Sequence, residues 1–123
     1  MTKRILVVED QEDNIQILRD LLGSAGFTIL EAKDGEEGVR VALAECPDLI
    51  LMDIQLPLLD GYEATRRIKA NLACKSIPII VVTSYALAGD EAKAREAGCD
   101  GYVPKPYSPR QLLATIREYL PPS

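Results

Sequence analysis

The chain has 123 residues, of which 47% are hydrophobic and 27% are charged, so it is long enough for one domain with a buried core. Its net charge of −5 argues against a nucleic-acid-binding surface, because such a surface needs clustered lysine and arginine side chains to contact phosphates. The lack of histidine excludes a phosphohistidine, a Ser-His-Asp triad and a His-ligated zinc site on this chain.

The composition predicts neither an exported protein nor a membrane protein. The first apolar stretch, Ile5 to Val8, is too short for the core of a signal peptide and runs directly into acids. No other apolar run approaches the length needed to cross a bilayer. The three cysteines, Cys46, Cys74 and Cys99, lack metal-ligand spacing, so we expect reduced thiols and a cytoplasmic location.

The first half of the chain predicts three strands that alternate with helices. Ile5 to Val8 and Leu49 to Met52 are continuous apolar runs, typical of strands covered on both faces of a parallel sheet. Between them, the apolar spacing of Ile15, Leu18, Leu21 and Leu22 predicts a first helix, and residues 27–32 predict another strand. A second helix is predicted from Val39, Ala42 and Leu43. Pro57 forces the chain out of the strand, so Asp53 is expected at the carboxyl end of the third strand.

The second half predicts three helices and two strands. They are a helix from residues 59–61 to about residue 72, a strand over 77–82, a helix over 86–97, a strand over 101–104 and a helix over 108–120. Five strands alternating with five helices predict an α/β fold, with a parallel sheet and helices on both of its faces. The flavodoxin-like strand order 2-1-3-4-5 suits five such units, and we expect one domain over residues 1–123, without an effector domain.

In this strand order, the carboxyl ends of four strands open onto one edge of the sheet. That edge would gather Glu9, Asp10, Asp53, Thr83 and Lys105. Neighbouring carboxylates repel each other, so such a cluster either raises a pKa or binds a cation. Oxygen ligands without nitrogen or sulfur donors favour Mg²⁺, for which Mn²⁺ can substitute.

We expect Asp10 and Asp53 to ligate the ion directly and Glu9 to do so directly or through water. The backbone carbonyl of Gln55 can complete the protein ligands. A metal-bound aspartate beside a lysine and a hydroxyl suits phosphoryl transfer, with Asp53 as nucleophile. Lys105 would neutralise the transferred group and Thr83 would donate a hydrogen bond to it. Each of these residues alone has a common structural explanation, so the prediction depends on their joint occurrence.

With these residues in place, the chain resembles the response-regulator receiver domain of bacterial two-component signalling over its whole length. The resemblance is carried by Glu9-Asp10, by Asp53 with Pro57 and Gly61 after it, and by Thr83, Tyr102 and Lys105-Pro106. Within that family the chain is most similar to stand-alone cell-division-type regulators. This closer likeness is carried by Val8-Glu9-Asp10 with Asn14, by residues 53–57, and by Gly89-Asp90-Glu91 through Gly98-Cys99.

The resemblance implies a phosphoprotein in which Asp53 accepts a phosphoryl group from a sensor histidine kinase or a histidine phosphotransfer protein, with Mg²⁺ required. It also implies that Thr83 and Tyr102 form a switch and that the Lys105-Pro106 bond is cis. Glu9 departs from the commoner aspartate, which can lengthen one metal contact into a water bridge. Ser84 stands where a small residue must leave room for the phosphate.

The output surface and two alternative functions follow from the same residues. We expect residues 86–97, 101–104 and 108–120 to form a face for a downstream protein partner, with the chain a monomer or a weak dimer through 86–120; an ordinary charged surface is the alternative.

An aspartyl-nucleophile phosphatase is disfavoured, because Gln55 occupies the position of the general acid and cannot transfer a proton. A receiver-like binding module that is never phosphorylated also stays open. We therefore expect a signalling module that catalyses only its own phosphorylation and dephosphorylation.

Overall fold

The computed structural model describes residues 2–83 and 90–120. The five strands are β1 (Arg4–Val8), β2 (Thr28–Ala32), β3 (Leu49–Met52), β4 (Ile79–Thr83) and β5 (Gly101–Pro104). All neighbouring strands pair in parallel, in the order β2-β1-β3-β4-β5. The predicted fold class and strand order are therefore confirmed.

Five helices connect and follow these strands within the described ranges. They are α1 (Glu12–Ser24), α2 (Gly35–Glu45), α3 (Gly61–Ala70), α4 (Asp90–Glu96) and α5 (Pro109–Tyr119). The predicted start of the helix over 86–97 lies outside the described residues. Ser84, where a small residue was expected, also lies outside them. None of the described helices has the length and apolar character that a membrane span requires.

The sheet is buried on both faces, which explains why its strands are continuous apolar runs. Every residue of β3 is at most 2% exposed. Alternate strand residues contribute to two separate apolar clusters, because successive side chains of a strand point to opposite faces. One cluster joins strand residues to α1 and α5, and the other joins them to α2 and α3. The helices thus cover both faces and leave the carboxyl edge of the sheet for polar side chains.

Polar caps start three of the helices where the sequence predicts a turn. The side chains of Asp34, Asp60 and Ser108 each accept a hydrogen bond from a backbone N–H in the first turn of the next helix. At α5 the bond is reciprocal, since the Gln111 side chain accepts a hydrogen bond from the N–H of Ser108 at 3.0 Å. Such caps satisfy N–H groups that have no partner inside the helix.

Two element boundaries differ by two residues from the sequence prediction. Helix α3 ends two residues earlier than expected, because Asn71 adopts an extended conformation with φ −86° and ψ 124°. Strand β4 begins at Ile79 rather than Ile77, because the N–H of Ile77 donates to the carbonyl of Cys74 at 3.0 Å within a turn. Both shifts affect the loop at the amino edge of the sheet and leave the carboxyl edge as predicted.

Candidate functional site

Three carboxylates meet at the carboxyl edge of the sheet. Glu9 and Asp10 follow β1 and Asp53 follows β3, and these two strands are neighbours in the sheet. The N–H of Asp53 donates to the carbonyl of Val8 at 3.1 Å, which continues the strand pairing to the site itself. Each acid offers a carboxylate oxygen, and these oxygens all lie within 4.8 Å of one another.

The Asp53 side chain is held from two sides. Its Oδ1 accepts a hydrogen bond from the backbone N–H of Gln55 at 3.1 Å, and its Oδ2 accepts one from the Lys105 ammonium at 3.4 Å. The first residue of α3, Gly61, packs directly on the backbone of Asp53, because a β-carbon at position 61 would lie 2.1 Å from the Asp53 carbonyl oxygen. Only glycine can pack this closely, so the start of α3 lies directly against the backbone of Asp53.

Lys105 reaches the cluster from the loop after β5. Its backbone N–H donates to the carbonyl of Thr83 at 2.7 Å, and the Lys105-Pro106 bond is cis. Its ammonium forms ion pairs with Glu9 Oε1 at 3.1 Å and with Asp53 Oδ2 at 3.4 Å. The predicted lysine and the predicted acceptor aspartate are thus in contact, although 52 positions separate them in the sequence.

The charge state of Lys105 follows from these contacts. Burial lowers the pKa of its ammonium, but the negative charges of Asp53 and Glu9, together with hydrogen bonds to both, outweigh burial. The pKa of Lys105 therefore lies above its ordinary value, and the side chain stays protonated at neutral pH. A permanent positive charge is thus present beside the Asp53 carboxylate.

Glu9 is buried and makes two contacts besides its place in the acidic cluster. Its side chain is 3% exposed, and its two oxygens accept hydrogen bonds from the Lys105 ammonium and, at 3.1 Å, from the backbone N–H of Gln11. A buried carboxylate needs such partners to offset the loss of hydration. The longer glutamate side chain therefore reaches Lys105 as well as the other two carboxylates. The predicted strand order gathers residues 9 and 105 at one edge of the sheet, but only the folded structure shows that they form an ion pair.

The donor set fits a hard divalent cation. Three carboxylates within 4.8 Å carry more negative charge than the single Lys105 ammonium offsets, and all of the donors are oxygen. Mg²⁺ prefers such ligands and keeps several waters. Gln55 lies in the same loop, with its N–H on Asp53. Its carbonyl remains a predicted ligand.

The two predicted switch residues lie on neighbouring strands. Thr83 ends β4 and is fully buried, opposite Pro104 of β5. Tyr102 lies in β5 opposite Val81 and is half-buried. Its ring packs on a small apolar cluster formed by Ile54, Val81, Ala94 and Cys99. Since Ile54 directly follows Asp53, Tyr102 is connected by packing to the loop of the candidate acceptor.

An open cavity of about 510 Å³ lies beside Asp10. It is lined by Asp10, Ile54, Gln55, Leu56, Pro57, Asp60, Tyr62 and Lys93. Tyr62 and Lys93 were missed by the sequence reasoning, because α3 and α4 bring them to the rim from separate parts of the chain. The cavity gives the acidic cluster access to solvent and to an incoming group.

The chain is similar to known proteins over almost its whole length. The family model described as the response regulator receiver domain matches residues 5–117. The polar-differentiation response regulator DivK of Brucella ovis is 42% identical over 120 residues, which are 98% of this chain and 98% of the relative. The DivK protein of Brucella anthropi is 41% identical over the same shares of both chains.

Solved structures show the same fold. The receiver domain of the sensor histidine kinase PA1611 from Pseudomonas aeruginosa superposes with a TM-score of 0.91 at 37% identity, covering 98% of both chains. That structure has a magnesium ion coordinated in its active-site cleft. The chemotaxis protein CheY4 of Vibrio cholerae has a TM-score of 0.90 at 25% identity, covering 97% of this chain and 99% of the other.

Proposed function

This chain belongs to the response regulator receiver domain family of two-component systems, and on that premise we propose that Asp53 is its phosphoryl acceptor. The observation that carries the proposal is the contact of Asp53 with the protonated Lys105 inside a cluster of three carboxylates. A carboxylate is a usable nucleophile for phosphorus when positive charge is fixed beside it. Asp53 is 12% exposed, so a donor can reach it only at the edge of the sheet.

The proposed step transfers a phosphoryl group from a phosphohistidine. A carboxylate oxygen of Asp53 attacks phosphorus, the P–N bond of the donor breaks, and its electron pair returns to the imidazole nitrogen. Lys105 neutralises charge on the transferred group, and the N–H of Gln55 keeps the other Asp53 oxygen in position. Water later attacks phosphorus, the P–O bond to Asp53 breaks, inorganic phosphate leaves, and the carboxylate is restored.

Glu9, Asp10 and Asp53 would hold Mg²⁺. Bound Mg²⁺ supplies positive charge that stabilises the transferring phosphoryl group. We assign direct ligation to Asp10 and Asp53 and ligation directly or through water to Glu9, which is the more buried of the two Lys105 partners and forms the shorter ion pair, at 3.1 Å. The Gln55 carbonyl completes the protein ligands, and Mn²⁺ can replace Mg²⁺.

Thr83 and Tyr102 carry the signal away from the site. The Thr83 hydroxyl donates a hydrogen bond to a phosphoryl oxygen, and Tyr102 then changes between a solvent-facing and a buried rotamer. Support comes from their positions, since Thr83 ends the strand beside β3 and Tyr102 packs in a cluster with Ile54. A few side-chain shifts of this kind are enough to bias a packed surface between two states.

The proposed output face consists of residues 86–97, 101–104 and 108–120. It is supported by a groove of about 440 Å³ between β5 and α5, with Tyr102 in its wall. A downstream protein partner would bind there, and a sensor histidine kinase or a histidine phosphotransfer protein would supply the phosphoryl group. The resemblance to DivK extends the proposal to polar differentiation as the process that the module controls.

The proposal is tested by incubating the purified protein with Mg²⁺ and acetyl phosphate and measuring its intact mass. Wild type should gain one phosphoryl group and Asp53→Asn none. Asp20→Asn is the matched control, because Asp20 is an exposed aspartate on α1, and it should label like wild type. A wild type that stays unmodified, or an Asp53→Asn variant that labels, contradicts the proposal. Turnover of the donor without labelling of Asp53 would instead favour a phosphatase.

A further inference from the structure

Cys46 and Cys74 meet at the amino edge of the sheet, opposite the acidic cluster. Cys46 follows α2 and precedes β3, and Cys74 lies in the loop between α3 and β4. The carbonyl oxygen of Ala42 accepts the backbone N–H of Cys46 at 3.0 Å and the thiol of Cys74 at 3.7 Å. The two residues are therefore adjacent in space, although they lie far apart in the sequence.

The two side chains also interact with each other. Burial raises the pKa of the Cys74 thiol, and the Cys46 side chain raises it further through its charge and a hydrogen bond. The Cys74 thiol and the Cys46 N–H donate to the same carbonyl oxygen of Ala42, which places the Cys74 sulfur beside residue 46. Cys74 is thus a buried thiol that lies beside a second cysteine.

The pair combines one accessible sulfur with one protected sulfur. Cys46 is exposed, whereas Cys74 is 0% exposed and packs in the cluster with Ala42, Ile68 and Ile77. The position of Cys46 is fixed by the end of α2 and by the Arg4 guanidinium, which donates to the Cys46 carbonyl at 3.1 Å. An oxidant in solution therefore reaches Cys46 first, and Cys74 is held where it can react next.

From this geometry we propose that Cys46 and Cys74 form an oxidation site, a dithiol pair that a hydroperoxide converts to an intramolecular disulfide. The Cys46 thiolate attacks a peroxide oxygen, the O–O bond breaks, and the departing hydroxide leaves as water with the thiol proton. The Cys74 sulfur then attacks the Cys46 sulfenic acid, the S–S bond forms, the S–O bond breaks, and a second water leaves. Two thiols lose two electrons and one hydrogen peroxide becomes two waters.

The disulfide would tie the end of α2 to the loop that leads into β4. Its position at the amino edge separates it from Asp53, so oxidation and phosphorylation are independent events. The reduced thiols are the resting form in a reducing compartment, and the disulfide forms only under oxidant. The third cysteine, Cys99, is buried in another cluster with Ile54, Val81 and Ala94 and serves as an internal reference.

The test treats the reduced, folded protein with hydrogen peroxide, blocks free thiols and maps tryptic peptides without reduction. Trypsin separates the three cysteines onto peptides 41–66, 70–75 and 96–110. The expected product is a monomer in which peptides 41–66 and 70–75 are joined and lack two hydrogens, and dithiothreitol should separate them. The Cys99→Ser and Asp53→Asn variants should form the same product, and Cys46→Ser should not.

Three results would overturn this proposal. In the first, peptides 41–66 and 70–75 stay separate while Cys46 is oxidised beyond the sulfenic acid. In the second, peptide 41–66 is joined to peptide 96–110 in the folded protein. In the third, Cys46 forms only intermolecular disulfides. Cys74→Ala, which keeps a small apolar group in the cluster, should leave Cys46 to oxidise without a partner. Because none of these measurements uses a phosphodonor, their failure is distinct from failure of the proposed function.

Discussion

The ammonium of Lys105 lies 3.1 Å from Oε1 of Glu9, so the lysine after β5 is ion-paired with the first acid after β1. Asp53 shares the same ammonium at 3.4 Å. A single positive charge is therefore divided between two of the three carboxylates at this edge of the sheet. Because of this arrangement, both the stability and the chemistry of this edge depend on Lys105.

Lys105→Met should lower the free energy of unfolding by about 2–4 kcal/mol, because it leaves the buried Glu9 carboxylate without its charged partner. Urea denaturation at neutral pH measures this loss. Lys93→Met is the control, since Lys93 is an exposed lysine near the same cavity and should change stability by less than about 0.5 kcal/mol. Equal losses in the two variants would mean that the buried pair contributes nothing specific.

Mg²⁺ should raise the melting temperature of the wild type, because the cation offsets repulsion among oxygens that lie within 4.8 Å of one another. At an Mg²⁺ concentration of about 100 times Kd, binding raises the free energy of unfolding by about 2.7 kcal/mol. Asp10→Asn should lose most of this gain, and Asp20→Asn should keep it. Thermal denaturation and calorimetric titration with MgCl₂ are the measurements. A gain of the same size in Asp10→Asn would place the ion elsewhere.

Leu58→Gly should stabilise the protein by about 0.5–1 kcal/mol, because Leu58 has a φ of 68°, where a β-carbon is strained. The side chain is 81% exposed, so its removal costs little packing. Leu72 is also 81% exposed but has no positive φ, and Leu72→Gly should destabilise by a similar amount through the entropy of the unfolded chain. Chemical denaturation of both variants decides the point. The same sign in both would contradict the strain argument.

Thr65→Val should raise the free energy of unfolding by about 1 kcal/mol. The Thr65 hydroxyl is fully buried in α3 and has no hydrogen-bond partner within the described part of the chain. Valine has nearly the same shape and removes the cost of burying an unsatisfied hydroxyl. Thr115→Val is the control, because the Thr115 hydroxyl donates to the Gln111 carbonyl at 3.0 Å and its loss should not stabilise. A destabilised Thr65→Val variant would mean that water satisfies this hydroxyl.

Much of the fold was predictable because its signals are local. Continuous apolar runs identified the strands, and Ser108 with Pro109 identified the start of α5. The boundaries that were predicted less well depend on single hydrogen bonds, such as that from the Ile77 N–H to Cys74 in the turn before β4. Such a bond is decided by how the loop packs against its neighbours, which no residue pattern records.

The order of the elements, and hence the strand ends at which Asp53, Thr83 and Lys105 lie, follows from local patterns, because hydrophobic periodicity and turn residues act over a few neighbouring positions. The tertiary structure sets which residues touch: Lys105 with Glu9, Gly61 with the Asp53 backbone, and the Cys74 thiol with the Ala42 carbonyl beside Cys46. These contacts join residues from separate strands and loops. They depend on the register and packing of the whole sheet, which local sequence patterns do not specify.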